Sequence, residues 1–238
     1  MIGLGICTYN RPTMFAALAA SVRDHLPDVD VYVVNDGGDP EPLAPAIEAL
    51  APRWVHHAAA NQGVATAKNM LLRRLLAAGC EWLFLAEDDI VVRSSRAIDG
   101  YVEACEASGY EHLTFHAHGP ANPEPLFVRG AVTLWPNYVG AWSIYSRACL
   151  EDVGLFDEAF TNAWEHVEHT LRLGERGWTA PWRGAADATG SEAWLAEQPG
   201  AIQHSVIRPR DDWAENIAAG RAHWKAAHPE TYRKVFGG

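Results

Sequence analysis

The chain has 238 residues, 48% of them hydrophobic and 21% charged, which fits one large globular domain better than two independent cores or a disordered chain. Its formal net charge of −11 argues against a main affinity for phosphate backbones or anionic lipid, while leaving room for a local basic groove. Ile2 to Thr8 is too short for a signal peptide, and no apolar run approaches the roughly 20 residues of a membrane span. Cys7, Cys80, Cys105 and Cys149 form no Cys-x-x-Cys pair. The expectation is therefore a cytoplasmic protein in a reducing compartment.

Ile2–Thr8 reads as a first strand, ended by Asn10-Arg11-Pro12. Phe15, Leu18, Ala19, Val22 and Leu26 then recur at helical spacing, with Pro12 suited to the first turn. Val29–Val34 is a β-branched run cut off by the turn cluster Asn35-Asp36-Gly37-Gly38. A short helix from about Leu43 to Leu50 and a strand at Trp54–His57 follow. Gly63 opens a patterned helix, Val64–Ala78, and Gly79 is its expected C-terminal stop. Trp82–Ala86 is a buried-type strand running into Glu87-Asp88-Asp89. A helix from about Ala97 to Ser108 leads to a strand at His112–His116.

This alternation predicts an α/β fold with a doubly wound, mostly parallel sheet in a single domain. Residues 119–238 are looser, broken by Pro120, Pro123, Pro125 and Pro136. A helix near Glu165–Arg176 and a C-terminal helix are expected there, and eight of the ten tryptophans fall in this half. Ligands of such sheets bind beyond the carboxyl ends of the strands. The clusters Thr8–Arg11, Asn35–Gly38 and Glu87–Asp89 all fall at those ends.

Three consecutive carboxylates at a sheet end repel one another unless a cation or donor groups neutralise them. Oxygen ligands of this kind suit Mg²⁺ or Mn²⁺, which are commonly held by one or two carboxylates together with substrate phosphates. An exposed acidic turn is the plainer alternative.

The ordered set of motifs resembles the family 2 glycosyltransferases and their GT-A relatives, over about residues 2 to 178. Cys7-Thr8-Tyr9-Asn10-Arg11-Pro12 is similar to the strand end that lies against the nucleotide. Asn35-Asp36-Gly37-Gly38 is similar to the turn whose aspartate holds uracil, and Asn61–Asn69 to the segment before the metal motif. Glu87-Asp88-Asp89 looks like the D-x-D motif. Gly154–Phe160 and Trp164-Glu165-His166-Val167-Glu168 fall where the family carries its acceptor-side acidic motif.

The resemblance implies a GT-A fold, with residues 1–118 binding the nucleotide sugar and 119–238 the acceptor. Transfer would run from a nucleotide diphosphate donor, a UDP-sugar in particular, to an acceptor hydroxyl, with inversion as the family default. Thr8, Tyr9, Asn10, Arg11, Asp36, Gly63, Lys68, Glu87 and Asp88 are the implied donor-binding residues, with Lys68 reaching the diphosphate where the family carries arginine. Mn²⁺ or Mg²⁺ would be held by Asp89, with His204 the candidate for a further ligand and His116 and His118 its competitors.

The usual catalytic aspartate is replaced by His166, so either His166 or Glu165 is the expected base. Trp142, Trp164 and Glu168 are the implied acceptor-side residues, and flat aromatic faces suit sugar or base stacking. The acceptor is a carbohydrate or another hydroxyl compound; the acidic balance lowers the claim of a nucleic acid. Two rivals are a sugar nucleotidyltransferase, which would want a glycine-rich basic loop after the first strand, and a non-catalytic binding protein. The altered Glu165-His166 pair keeps the second rival in view.

Overall fold

A computed structural model describes residues 1–181 and 183–237. Strand β1 (Ile2–Thr8) leads to α1 (Pro12–His25), β2 (Asp30–Asn35), α2 (Ala44–Leu50), β3 (Trp54–His57), α3 (Val64–Ala77) and β4 (Trp82–Glu87). A short β5 (Ile90–Val92), α4 (Arg96–Ser108) and β6 (His112–Thr114) complete the first half. The second half holds β7 (Phe127–Arg129), β8 (Val132–Trp135), β9 (Trp142–Ser146), α5 (Arg147–Val153) and α6 (Glu165–Glu175). It ends with β10 (Ala185–Ala188), β11 (Leu195–Glu197), α7 (Trp213–Ala227) and α8 (Pro229–Phe236).

The main sheet has the order β3-β2-β1-β4-β9-β6. Pairings among β3, β2, β1 and β4 are parallel, and β9 runs antiparallel to both β4 and β6. The expected parallel neighbour of β4, near His112–His116, is thus displaced by a strand from the second half. Small ribbons β10-β8-β7 and β11-β5 lie outside this sheet.

Both faces of the central strands are buried, which is why they read as unbroken apolar runs. Leu4 and Ile6 of β1 and Phe84 of β4 join Phe15, Leu18, Tyr101 and Trp142 in one core. Leu83 and Leu85, from alternate positions of β4, pack with Leu71, Leu75 and Tyr145 in the other. Helix α3 approaches β1 where the strand carries glycine. A Cβ on Gly3 would lie 2.4 Å from Leu75 Cδ2, and one on Gly5 2.9 Å from Leu71 Cβ.

His112 sits fully buried in β6, with Nδ1 2.9 Å from the Ile144 carbonyl and Nε2 3.1 Å from the Thr170 hydroxyl. Burial pushes its pKa down to about 4. The unfolded chain therefore binds more protons than the native state between about pH 4 and 6.5, and His112 weakens the fold as pH falls through that window. The stability advantage of wild type over His112→Asn should shrink by about 3 kcal/mol between pH 7 and pH 4. Urea unfolding at a series of pH values reads this gap; a gap that does not change with pH would contradict it.

Candidate active site

Strand register brings the polar clusters together. Thr8 pairs with Asn35 across β1 and β2, and Cys7 pairs with Glu87 across β1 and β4. The segments leaving the three strands therefore emerge side by side at one sheet edge. The approach to β9 reaches the same edge, where the Glu87 N–H donates to the Ala141 carbonyl at 2.8 Å. These segments open on a cleft of about 520 Å³.

Asp88 is fully buried, accepts from the Thr8 hydroxyl at 2.6 Å and is ion-paired with Arg11. Arg11 also donates to Asp89 at 3.2 Å. Burial pushes the Asp88 carboxyl up to about 7 against the pull of Arg11. Asp89 is raised as well, by burial and by the neighbouring Glu87. Its Oδ1 is buried without a hydrogen-bond partner.

Two hard carboxylates with an unsatisfied oxygen fit a divalent cation held jointly with substrate phosphates. Among the described residues, no cluster of three or more His, Cys, Asp or Glu could cage a metal alone.

At the end of β2, the Asp36 carboxylate accepts from Gln62 N at 2.8 Å, Gly63 N at 3.0 Å and Asn61 Nδ2 at 2.9 Å. A carboxylate has about four acceptor positions, so capacity remains for one further donor. Gly63 has φ +96°, and a Cβ there would lie 2.4 Å from the Thr161 carbonyl oxygen. Its positive φ and lack of a side chain let the chain enter α3 beneath that backbone.

A second polar group lies where α3, β4 and α6 meet. Lys68 Nζ donates to Glu87 Oε1 at 2.6 Å, to Glu165 Oε1 at 3.3 Å and to the Gly140 carbonyl at 3.2 Å. His166 Nδ1 lies 3.1 Å from Glu165 Oε1. Glu165 is held well below the usual carboxylate range: burial pushes it up, and the charges of His166 and Lys68 more than offset that.

Thr8, Tyr9, Arg11, Asp36, Glu87, Asp88, Asp89, Trp164, Glu165 and His166 all line the cleft. Asn10 is exposed at φ +52°, with its side-chain oxygen against Gly38. Four of the expected site residues, Lys68, Trp142, Glu168 and His204, are instead placed off the cleft wall. Lys68 is 1% exposed, is ion-paired with two carboxylates and is not on the cleft wall, which sets it apart from the expected reach to a donor diphosphate. Trp142 is fully buried against Phe84 and offers no face to an acceptor.

Glu168 is likewise fully buried; it bonds Arg172 one helical turn on and does not line the cleft. His204 is exposed, with its ring near Gly200, and lies outside the cleft wall. Of the competing histidines, His118 lines the cleft, with its Nδ1 2.9 Å from Glu197. His116 is pinned to Asp187 at 2.7 Å and stacked on Trp135.

Two contributors escaped the sequence reading. The buried Gln198 places its amide nitrogen 2.8 Å from the Asp88 carbonyl, 2.9 Å from that of Met14 and 3.2 Å from that of Ile90. It thereby fixes the acidic turn, and no local pattern marks it. Arg208 lines the cleft 3.1 Å from His118; the basic run Arg208-Pro209-Arg210 in an acidic chain was an available signal.

No protein-family model matches the chain, and no curated protein matches it in sequence. Solved structures do match. S. aureus TarS residues 1–349 in complex with UDP-GlcNAc superposes with TM-score 0.59 at 15% identity, over 98% of this chain and 69% of that one. GalNAc-T7 with UDP, GalNAc and Mn²⁺ gives TM-score 0.60 at 9% identity, over 98% and 54%. The fold is that of the GT-A glycosyltransferases.

The mannosyltransferase PcManGT of Pyrobaculum calidifontis, with GDP-Man and Mn²⁺, aligns at TM-score 0.50 and 12% identity over 98% of this chain and 77% of its own. The chain spans 43% of the longer S. aureus TarS chain. Within this GT-A core, among the described residues, no helix is long and apolar enough to cross a membrane.

Proposed function

We propose that the chain is a metal-assisted glycosyltransferase that moves a sugar from a nucleoside diphosphate, specifically a UDP-sugar, onto an acceptor hydroxyl with inversion. The observation that carries this reading is the register that gathers Thr8 and Arg11, Asp36 and Glu87-Asp88-Asp89 around one cleft with Glu165 and His166. Fold likeness alone would not assign chemistry. The site supplies each part that glycosyl transfer needs.

The residual acceptor capacity of Asp36 suits a uracil N–H; the solved neighbours hold UDP or UDP-GlcNAc in some cases and GDP-Man in another, so the choice of base rests on Asp36. Asp89, backed by Asp88, is where this chain would hold Mn²⁺ or Mg²⁺. When bound there, such a cation would supply positive charge against that developing on the departing diphosphate. Arg11 supplies a fixed positive charge on the same side.

The acceptor O–H proton passes to a base at Glu165-His166, and the oxygen forms a bond to the anomeric carbon. The bond from that carbon to the diphosphate oxygen breaks, and its electron pair leaves with the nucleotide. A base beside the donor suits this single displacement and hence inversion. Tyr138, Trp164, Trp213 and Ile217, all on the cleft wall, are the residues assigned to the acceptor in this reading. The four cysteines are free and buried, which fits the cytoplasmic setting proposed from their spacing.

Thermal unfolding with UDP-, GDP- and dTDP-sugars, with and without Mn²⁺, tests the donor assignment. Wild type should be stabilised by a UDP-sugar only when the metal is present, by about 2.7 kcal/mol at a hundredfold excess over Kd. Stabilisation by GDP-sugars alone would move the donor class, and no response to any nucleotide sugar would contradict the proposal.

A further inference from the structure

We infer that His166 is the catalytic base and that Glu165 is a positioning residue, which holds the His166 ring as its Nδ1–H tautomer while Lys68 holds Glu165. This rests on the glycosyl-transfer reading for the word catalytic. The tautomer itself is a property of the protein alone.

The argument starts from one oxygen. Glu165 Oε1 lies 3.1 Å from His166 Nδ1 and 3.3 Å from Lys68 Nζ. An ionised carboxylate accepts hydrogen bonds and donates none. The imidazole nitrogen facing it must therefore carry the proton, which leaves the lone pair on Nε2. Both residues line the cleft, but Glu165 is only 3% exposed whereas the His166 side chain is 27% exposed. A carboxylate that is nearly fully buried and already engaged by an ammonium and an imidazole is badly placed to meet an acceptor hydroxyl.

Lys68 completes the support. Its ammonium spans Glu87 and Glu165, tying the carboxylate that orients the base to the strand that carries the acidic turn. Gly140 forms the seat of the ring: a Cβ there would lie 2.9 Å from His166 Cγ and 3.1 Å from Lys68 Nζ. During transfer Nε2 takes the acceptor proton, the resulting imidazolium faces the Glu165 carboxylate, and the proton then leaves Nε2 for solvent as product departs.

The test is a long-range ¹H–¹⁵N correlation spectrum of the imidazole rings in the full chain above the imidazole pKa, with His166 assigned by its loss in His166→Ala. The expected result is the Nδ1–H pattern in wild type and a shift toward the Nε2–H form in Glu165→Ala. Wild-type His166 in the Nε2–H form would overturn the proposal, and it needs no variant of Glu165 to fold.

Nucleotide release from UDP-GlcNAc with Mn²⁺ gives a second reading. His166→Ala should lower kcat by about 10²-fold or more with donor KM within about twofold, and adding Glu165→Ala to it should cost nothing further. A Glu165→Ala loss deeper than that of His166→Ala, and additive with it, would make Glu165 the base and overturn the assignment. If nucleotide sugars neither bind nor turn over while the Nδ1–H form is present, the dyad stands and the glycosyl-transfer reading fails.

Discussion

Replacing Asp89 by asparagine is expected to abolish metal-dependent donor binding while leaving the ligand-free protein at least as stable as wild type. Asp89 is buried beside Asp88 and Glu87, with one oxygen unpartnered. Its charge is disfavoured by burial and by Glu87, and Arg11 offsets only part of that. Asparagine keeps the shape and removes the repulsion. Arg11 retains Asp88 as its partner, so no guanidinium is left buried alone.

Loss of a metal-binding carboxylate should weaken Mn²⁺-dependent binding of a UDP-sugar on the order of 10²-fold or more. The sign of the stability change follows from proton linkage. A carboxyl whose folded pKa lies above its unfolded value costs stability as it ionises. Asp88, pushed up to about 7 in part by Asp89, shares that cost. The advantage of Asp89→Asn should therefore be small near pH 4 and grow toward pH 7. Titration calorimetry and thermal unfolding read the two halves separately. Unchanged metal-dependent binding would remove Asp89 from the site, and a large loss of ligand-free stability would mean that the carboxylate is structural.

Lys68→Met should damage the fold severely. Lys68 is 1% exposed and faces two carboxylates at 2.6 Å and 3.3 Å. Those neighbours raise its pKa well above the ordinary lysine value in spite of full burial. Removing one member of a buried ionic group leaves the others uncompensated, at a cost of about 3–5 kcal/mol. Lys68→Arg should not restore the loss, because the ammonium is fully buried and held against the Gly140 carbonyl at 3.2 Å, which leaves no room for the larger guanidinium.

The Glu165 carboxyl is held low by His166 and Lys68, so its contribution is present above about pH 4.5 and fades as pH falls below it. The gap between wild type and Lys68→Met should narrow over that acid range. A variant as stable as wild type at pH 7 would instead place Lys68 free in the cleft, restoring its expected reach to a phosphate.

The first half of the fold was legible because β1, β2 and β4 are buried along nearly their whole length and α1 and α3 each bury a clear apolar stripe. The insertion of β9 between β4 and β6 was not. Trp142–Ser146 is a short apolar run whose sheet position depends on a partner distant in sequence. The cleft-wall residues Ile202, Ser205, Val206, Ile207 and Arg208 lie in a stretch with no periodicity to betray it.

At the site, the residue types were readable and their depth was not. Lys68 lies near the start of a helix, and the sequence does not reveal that α6 closes over it with a second carboxylate. Trp142 and Glu168 occupy the expected segments but point into the interior. Glu87, Asp88, Asp89 and Arg11 were recoverable because strand ends in a parallel sheet converge, so their order along the chain already implied neighbourhood.

The most direct measurement is nucleotide release from a UDP-sugar by the purified protein with Mn²⁺, comparing wild type with Asp89→Asn and with chelator present. The account expects UDP release by wild type alone, lost on chelation and restored by Mn²⁺ or Mg²⁺. Donor binding without any release, across sugars and hydroxyl acceptors, would contradict it and leave a GT-A fold that binds a nucleotide sugar without transferring it.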